Sequence, residues 1–273
     1  MNSTINSPVP QSSPTSQVPR LEVSGLAKTY GSGPKAVEVI EDLSFSVNAG
    51  EMVCIVGPSG VGKTTLLKCL AGLQPSSGGV MKIDGKKVSG PPTEMALVFQ
   101  DYSRSLMPWL TVEKNLQLPL RHLRLPAAEM GRRITEALAE VGLSHARTRY
   151  PWQLSGGMQQ RVAIARALAY QPEILIMDEP FASVDAQTRF ELEDLCLKIR
   201  DELGMTILLV THDIDEAVYL SDRIVAIGHK PARVLEVMDV QLPSPRNQID
   251  TRALTEFSAQ RTKVLSLIRQ NQG

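Results

Sequence analysis

Cysteine is scarce here: Cys54, Cys69 and Cys196 are the only three in 273 residues. They make no C-x-x-C pair and no even framework, which excludes a disulfide scaffold and reads as reduced structural thiols of a cytosolic protein. A surplus of charge is missing too. Lysine plus arginine and aspartate plus glutamate each number 29, so the balance gives no argument for nucleic acid as a partner. Long hydrophobic runs are also lacking: nowhere do about 18 apolar residues follow one another, so no segment reads as a membrane span. The first 19 residues carry no charge and no apolar core. Rich in Ser, Pro, Asn, Gln and Thr, they are expected to form a disordered lead rather than a secretory signal.

What the chain does have is glycine in a set place. Residues 57–64 read Gly57-Pro58-Ser59-Gly60-Val61-Gly62-Lys63-Thr64, and Thr65 follows. The apolar run Met52-Val53-Cys54-Ile55-Val56 before them has strand character. The stretch after them has helical spacing and meets a terminating Gly72. Strand, glycine loop and helix in that order make a phosphate-binding loop. Glycine at 57, 60 and 62 lets backbone N–H groups approach phosphate oxygens with no side chain between. The helix start near Lys63 adds its positive end. Lys63 supplies a mobile charge for the β- and γ-phosphates, and Thr64 a hydroxyl for Mg²⁺.

Ile174-Leu175-Ile176-Met177 then runs into two adjacent carboxylates, Asp178 and Glu179. So short an apolar run suits a buried parallel strand whose end opens at a ligand crevice. There Asp178 would hold Mg²⁺, and Glu179, pointing elsewhere, would polarise an attacking water as general base.

A third run reads Leu154-Ser155-Gly156-Gly157-Met158-Gln159-Gln160 and leads into a strong helix former through Ala169. A serine hydroxyl and bare glycine backbone at a helix start fit a second anion site, and equally a plain N-cap. The run resembles the signature sequence of ATP-binding cassette (ABC) ATPases, and the other motifs agree in order over about residues 20–240. Met158 stands where many cassettes carry Gln, but the Leu-Ser-Gly-Gly core is intact. The resemblance implies an α/β fold: a P-loop NTPase cassette with a mainly parallel core sheet, an N-terminal antiparallel β subdomain and a helical subdomain. It implies that Tyr30 stacks on adenine and that Gln100 senses Mg²⁺ and the membrane partner. It also implies that Asp185, in Ser183-Val184-Asp185, belongs to a dimer-contact loop and that His212 contacts the γ-phosphate. ATP would lie between residues 57–65 of one copy and Ser155, Gly156 and Gly157 of a second.

Alternating apolar and polar residues at 20–48 and 80–88 predict an antiparallel sheet to one side. Parallel strands are expected near 52–56, 95–99, 174–178, 206–211 and 223–227. Residues 101–170 lack strand signals and should be mostly helical, broken at Pro108, Pro119, Pro126 and Pro151. The expected organisation is a lead at 1–19, an ATPase domain at 20–241 with its helical subdomain at about 101–170, and a helical tail at 242–273. In that tail Leu254, Phe257, Val264, Leu265 and Ile268 share one face and should pack on the body. The tail is too short for the regulatory barrel of some sugar-importer cassettes.

Within residues 103–112, Met107, Trp109 and Leu110 crowd apolar surface into a loop, which fits local core packing or a docking groove for a membrane subunit's helix. Pro108-Trp109-Leu110-Thr111-Val112, Met158-Gln159-Gln160-Arg161 and Leu242-Pro243-Ser244-Pro245-Arg246 resemble the nitrate/sulfonate/taurine importers. That branch implies the energising subunit of a bacterial uptake system on the cytoplasmic face of the inner membrane. Its partners would be integral membrane permease subunits and, indirectly, an extracytoplasmic solute-binding protein. An exporter subunit or a soluble ABC ATPase remodelling a protein or nucleic acid complex shares the cassette. No coiled-coil insertion parts the phosphate loop from the signature, which argues against chromosome-maintenance relatives. A single cassette argues against the tandem factors of translation.

Overall fold

Strands apolar on both faces need cover on both faces, and this chain places them inside its sheet. β3 (Met52–Val56), β7 (Ile174–Asp178) and β8 (Thr206–Thr211) are buried at every position. With β6 (Met95–Val98) and β9 (Arg223–Gly228) they pair in parallel, in the order β9-β3-β8-β7-β6. The alternating strands β1 (Leu21–Tyr30), β2 (Val37–Val47), β4 (Gly78–Ile83) and the short β5 (Lys86–Lys87) pair antiparallel, as their patterning predicts. The computed structural model describes residues 18–101 and 105–271. Most of the expected lead, and Ser103 and Arg104 of the expected docking segment, lie outside the described residues.

One strand has no counterpart in the sequence-based expectation. β10 (Ala232–Asp239) runs antiparallel to β9 and parallel to β2, where Ala232 pairs with Ile40. It joins the antiparallel unit to the parallel core as one ten-stranded sheet, β5-β4-β1-β2-β10-β9-β3-β8-β7-β6. Only Ala232 and Met238 of β10 are buried, so its sequence carries little alternation to detect.

Helices cover the sheet. α1 (Lys63–Leu70) follows β3 and stops where Gly72, at φ +67°, turns Leu73 and Gln74 back to donate to the Lys68 carbonyl. α2 (Val112–Leu120), α3 (Ala127–Glu140) and α4 (Gly156–Ala169) lie between β6 and β7 in the chain and pack on one another. Pro119 does not break this region as expected. It sits inside α2, one residue from its end, where its missing N–H and its ring affect only the last turn. Pro126 caps α3 and Pro151 opens a 3₁₀ turn before the Leu154 run, both as breaks should.

α5 (Ala186–Leu203) and α6 (Ile214–Leu220) flank β8, and α7 (Asp250–Ala253) and α8 (Thr255–Gln270) form the tail. Phe257, Val264 and Ile268 are buried in the main core, joined by the partly buried Leu254 and Leu267. Leu265, expected in that contact, is only half-buried and Leu267 takes its place; the two flank the stripe on opposite sides, and α8 rolls toward Leu267. All three cysteines are free and buried. Among the described residues, no helix is long and apolar enough to cross a membrane.

Candidate nucleotide site

The C-terminal ends of parallel strands open on a ligand crevice, and here four lie side by side. Register aligns them: Val98 pairs with Met177, Asp178 with Val210, and Thr211 with Val56. The residues that follow those strand ends therefore meet: the phosphate loop after β3, Gln100 after β6, Glu179 after β7 and His212 after β8.

The loop enters α1 through Gly62 at φ +115°, with no side chain capping the helix. Its first amides are left unsatisfied by any side chain, which is how an anion cradle is built. Gly60 at φ +73° and Gly62 are glycine for their backbone, and a Cβ on Gly62 would stand 3.1 Å from Val39. Gly57 is glycine for a reason absent from the sequence-based argument: its Cβ would fall 2.5 Å from the Ile227 carbonyl oxygen of β9. Lys63 is 6% exposed, and its Nζ donates to the Gly57 and Pro58 carbonyls at 2.8 and 3.1 Å. Burial draws its pKa down, against the pull of Glu179 and Asp178.

Asp178 is 7% exposed, and burial raises its carboxyl above the usual range. The adjacent Glu179 adds to the rise, while the Thr64 hydroxyl and the Lys63 ammonium oppose it. Glu179 occupies the left-handed region at φ +44°, which costs a non-glycine residue about 1–3 kcal/mol and recurs at functional sites. Its amide donates to the Val210 carbonyl at 2.8 Å. On its carboxylate, Oε2 accepts from Gln100 Nε2 at 3.2 Å and lies 3.1 Å from His212 Nδ1. A strained backbone thus aims one carboxylate between two partners.

A second group of expected site residues lies at the starts of α4 and α5. Ser155 caps α4, its Oγ accepting from the Met158 amide at 3.3 Å. A Cβ on Gly157 would stand 2.3 Å from Thr188 Cγ2, so α4 begins against the first turn of α5. Asp185 caps that turn, accepting from the Thr188 amide at 3.0 Å and hydroxyl at 2.7 Å, which hold it below the usual carboxylate range. Tyr30 is 38% exposed at the end of β1; its hydroxyl donates to Gln74 Oε1 at 2.6 Å, and Lys28 Nζ lies 4.9 Å from its ring centre.

Matching residues 40–182 is a family whose description is ABC transporter. The chain belongs to the ABC transporter family. This ABC ATPase is 43% identical over 238 residues to the aliphatic sulfonates import ATP-binding protein SsuB of Bacillus licheniformis, covering 87% of this chain and 90% of that one. It is 39% identical over 264 residues to the nitrate import ATP-binding protein NrtD of Synechococcus elongatus, covering 95% of each. Among solved structures it resembles a dimeric post-hydrolysis state of the ATP-binding cassette MJ0796 bound to ADP and Pi. The TM-score there is 0.70 at 32% identity, over 81% of this chain and 99% of that one. Fold and ATPase class follow from these matches.

Four further residues of the ABC ATPase were not anticipated. Lys230, in the β9–β10 turn, brings Nζ to 4.0 Å from where a Gly60 Cβ would be. Arg189 of α5 and Asp213 and Glu216 around α6 line a cavity of about 70 Å³ together with Glu179 and His212. Asp213 and Glu216 have capping-box spacing, a signal that was there to find; Arg189 had none.

Burial pushes the Glu216 carboxyl from 4.5 up to about 7, against a hydrogen bond from Thr211. Asp213 and Glu193 raise it further and Arg189 lowers it. A carboxyl with a raised folded pKa gives stability that is full below about pH 4.5 and is lost as pH rises through about 7. Glu216→Gln, uncharged throughout, should therefore gain on the wild type by on the order of 2–3 kcal/mol between pH 5 and pH 8. Urea unfolding at the two pH values measures this, and a pH-independent difference would contradict it.

Proposed function

We propose that two copies of this chain close on two MgATP and drive an importer of nitrate, a sulfonate, taurine or a similar small solute. The observation that carries the reading is that one chain presents two helix starts suited to an anion, α1 after the phosphate loop and α4 after Ser155. The phosphate loop, Gln100, Asp178, Glu179 and His212 share one set of strand ends, while Ser155, Gly156, Gly157 and Asp185 gather where α4 meets α5. A second copy then brings the second group to the first.

In each site the loop Gly57-Pro58-Ser59-Gly60-Val61-Gly62-Lys63-Thr64-Thr65 holds the phosphates through its backbone N–H groups, Pro58 having none, and through the Lys63 ammonium. Tyr30 stacks on adenine. Thr64, Asp178 and Gln100 would offer Mg²⁺ oxygen donors with a single buried carboxylate. Such a set suits Mg²⁺, which keeps waters and phosphate oxygens as its other ligands, and no group of three or more His, Cys, Asp or Glu among the described residues forms a dedicated metal cage. When bound, Mg²⁺ neutralises charge on the β- and γ-oxygens. Glu179 takes the proton of the attacking water, Gln100 and His212 orient that carboxylate, and His212 meets the γ-phosphate. Residues 20–241 make the ATPase domain, the helical subdomain at about 101–170 carries the signature, and the tail, 242–273, braces the body through Phe257, Val264 and Ile268.

Docking to membrane permease subunits on the cytoplasmic face is assigned to the loop around Trp109. That indole is 70% exposed while Leu106 beside it is buried, so it contributes little to the core. Sulfonate, nitrate and taurine are the solutes in the relatives' names, and a small solute of that kind is the proposed cargo. ATP-dependent uptake of nitrate, aliphatic sulfonates and taurine by the reconstituted complex tests the reading, and a complex that moves none of them would count against it.

Trp109→Ala should separate the two activities. Truncating an aromatic anchor at an interface costs about 2 kcal/mol or more, so uptake should fall at least about 10-fold. Basal ATPase of the isolated chain should stay within about 2-fold, since the exposed Trp109 lies outside every nucleotide motif. Equal losses in both assays would make Trp109 part of the cassette's own structure.

A further inference from the structure

Glu216 is 5% exposed on α6, a place where an apolar side chain would be less costly unless its bonds matter. Those bonds lead to both neighbours of His212. Thr211 Oγ1 donates to Glu216 Oε2 at 2.6 Å and accepts from the Asp213 amide at 3.0 Å. Asp213 Oδ1 returns to α6, accepting from the amides of Asp215 at 2.8 Å and Glu216 at 3.2 Å. From α5, Arg189 Nη1 lies 3.4 Å from Asp213 Oδ2, and its Nε lies 3.7 Å from Glu216 Oε1.

The His212 ring itself is 55% exposed, with its Nδ1 3.1 Å from Glu179 Oε2. A side chain so lightly held is aimed by its backbone, and here that backbone is tied down on either side. The groups facing Glu216 are Asp213 from its own turn, Thr211 from β8, and Arg189 and Glu193 from α5. Glu179 and His212 lie across the cavity of about 70 Å³.

We propose that Glu216 is a positioning residue for hydrolysis: through Thr211 and Asp213, with Arg189 opposite, it fixes the turn that presents His212 to Glu179. The inference rests on the assignment of Glu179 and His212 to the hydrolytic centre. Because Arg189 lies one turn along α5 from Asp185, the same contact ties the dimer-contact loop to the histidine.

The test is a double-mutant cycle on the full chain, read as kcat, KM and affinity for a fluorescent ATP analogue. Glu216→Ala should lower kcat at least about 10-fold, with KM and analogue affinity within about 2-fold of wild type. Thr211→Val, which removes the hydroxyl but little volume, should do the same, so the result does not hang on one variant folding. Glu216→Gln, whose amide oxygen still accepts from Thr211, should stay within about 3-fold of wild type. In a His212→Ala background, Glu216→Ala should cost no more than about 2-fold further, because residues acting through one group are not additive. Equal kcat losses in both backgrounds, or full kcat in Glu216→Ala and Thr211→Val, would overturn the proposal. Full activity in His212→Ala and Glu179→Gln would instead remove the hydrolytic centre on which it rests.

Discussion

Glu179→Gln should leave MgATP bound while cutting turnover by on the order of 10²–10⁴-fold, the range that general-base catalysis supplies. The substitution keeps the shape of a side chain whose backbone sits at φ +44° and whose Oε2 lies between Gln100 and His212. Its amide has no lone pair of carboxylate basicity, so it cannot take a proton from water. The phosphate loop is untouched, because Lys63 and the α1 amides belong to a different strand end. With binding intact and hydrolysis blocked, nucleotide should accumulate between two copies. Size-exclusion chromatography in MgATP then shows a dimer where the wild type reopens. Near-normal turnover would remove Glu179 from the chemistry.

Mixing two dead variants should restore one working interface. Lys63→Ala removes the ammonium that lies over the phosphate loop. Ser155→Arg fills the start of α4 and removes its cap, at a helix cost of about 1 kcal/mol. Each homodimer has two broken sites if Ser155 serves the ATP held by the other copy's Lys63. A mixed dimer has one doubly broken site and one with both residues intact, since the intact Lys63 and the intact Ser155 come from different chains. Occluded nucleotide should therefore appear in the mixture and in neither parent, detected by crosslinking to trapped ATP analogue. If the mixture traps no more than its parents, the signature residues act within one chain and the sandwich arrangement fails.

Much of this chemistry was legible because it is local. Gly60, Gly62 and Lys63 need only a strand before them and a helix after, and both signals stand in the flanking residues. Asp178 and Glu179 were readable for the same reason: four apolar residues and then two acids describe a strand end without reference to anything distant. Pro119 misled because its effect depends on how near the helix end it falls, which periodicity does not resolve.

β10, the packing reason for Gly57 and the bracing of His212 belong to another kind of information. β10 is half exposed and acquires its role only by bridging β2 and β9. Gly57 meets the Ile227 carbonyl from a strand far along the chain. Arg189 and Glu216 come together only because α5 and α6 pack side by side.

The sequence by itself determined the ATPase class and the family, since phosphate loop, paired acids and signature are each recognisable from a few neighbouring residues. The tertiary structure alone decided which strand ends meet, why Gly57 tolerates no side chain, and what holds His212 in place. Those are contacts between residues distant in the chain, set by strand order and helix packing that no local pattern encodes.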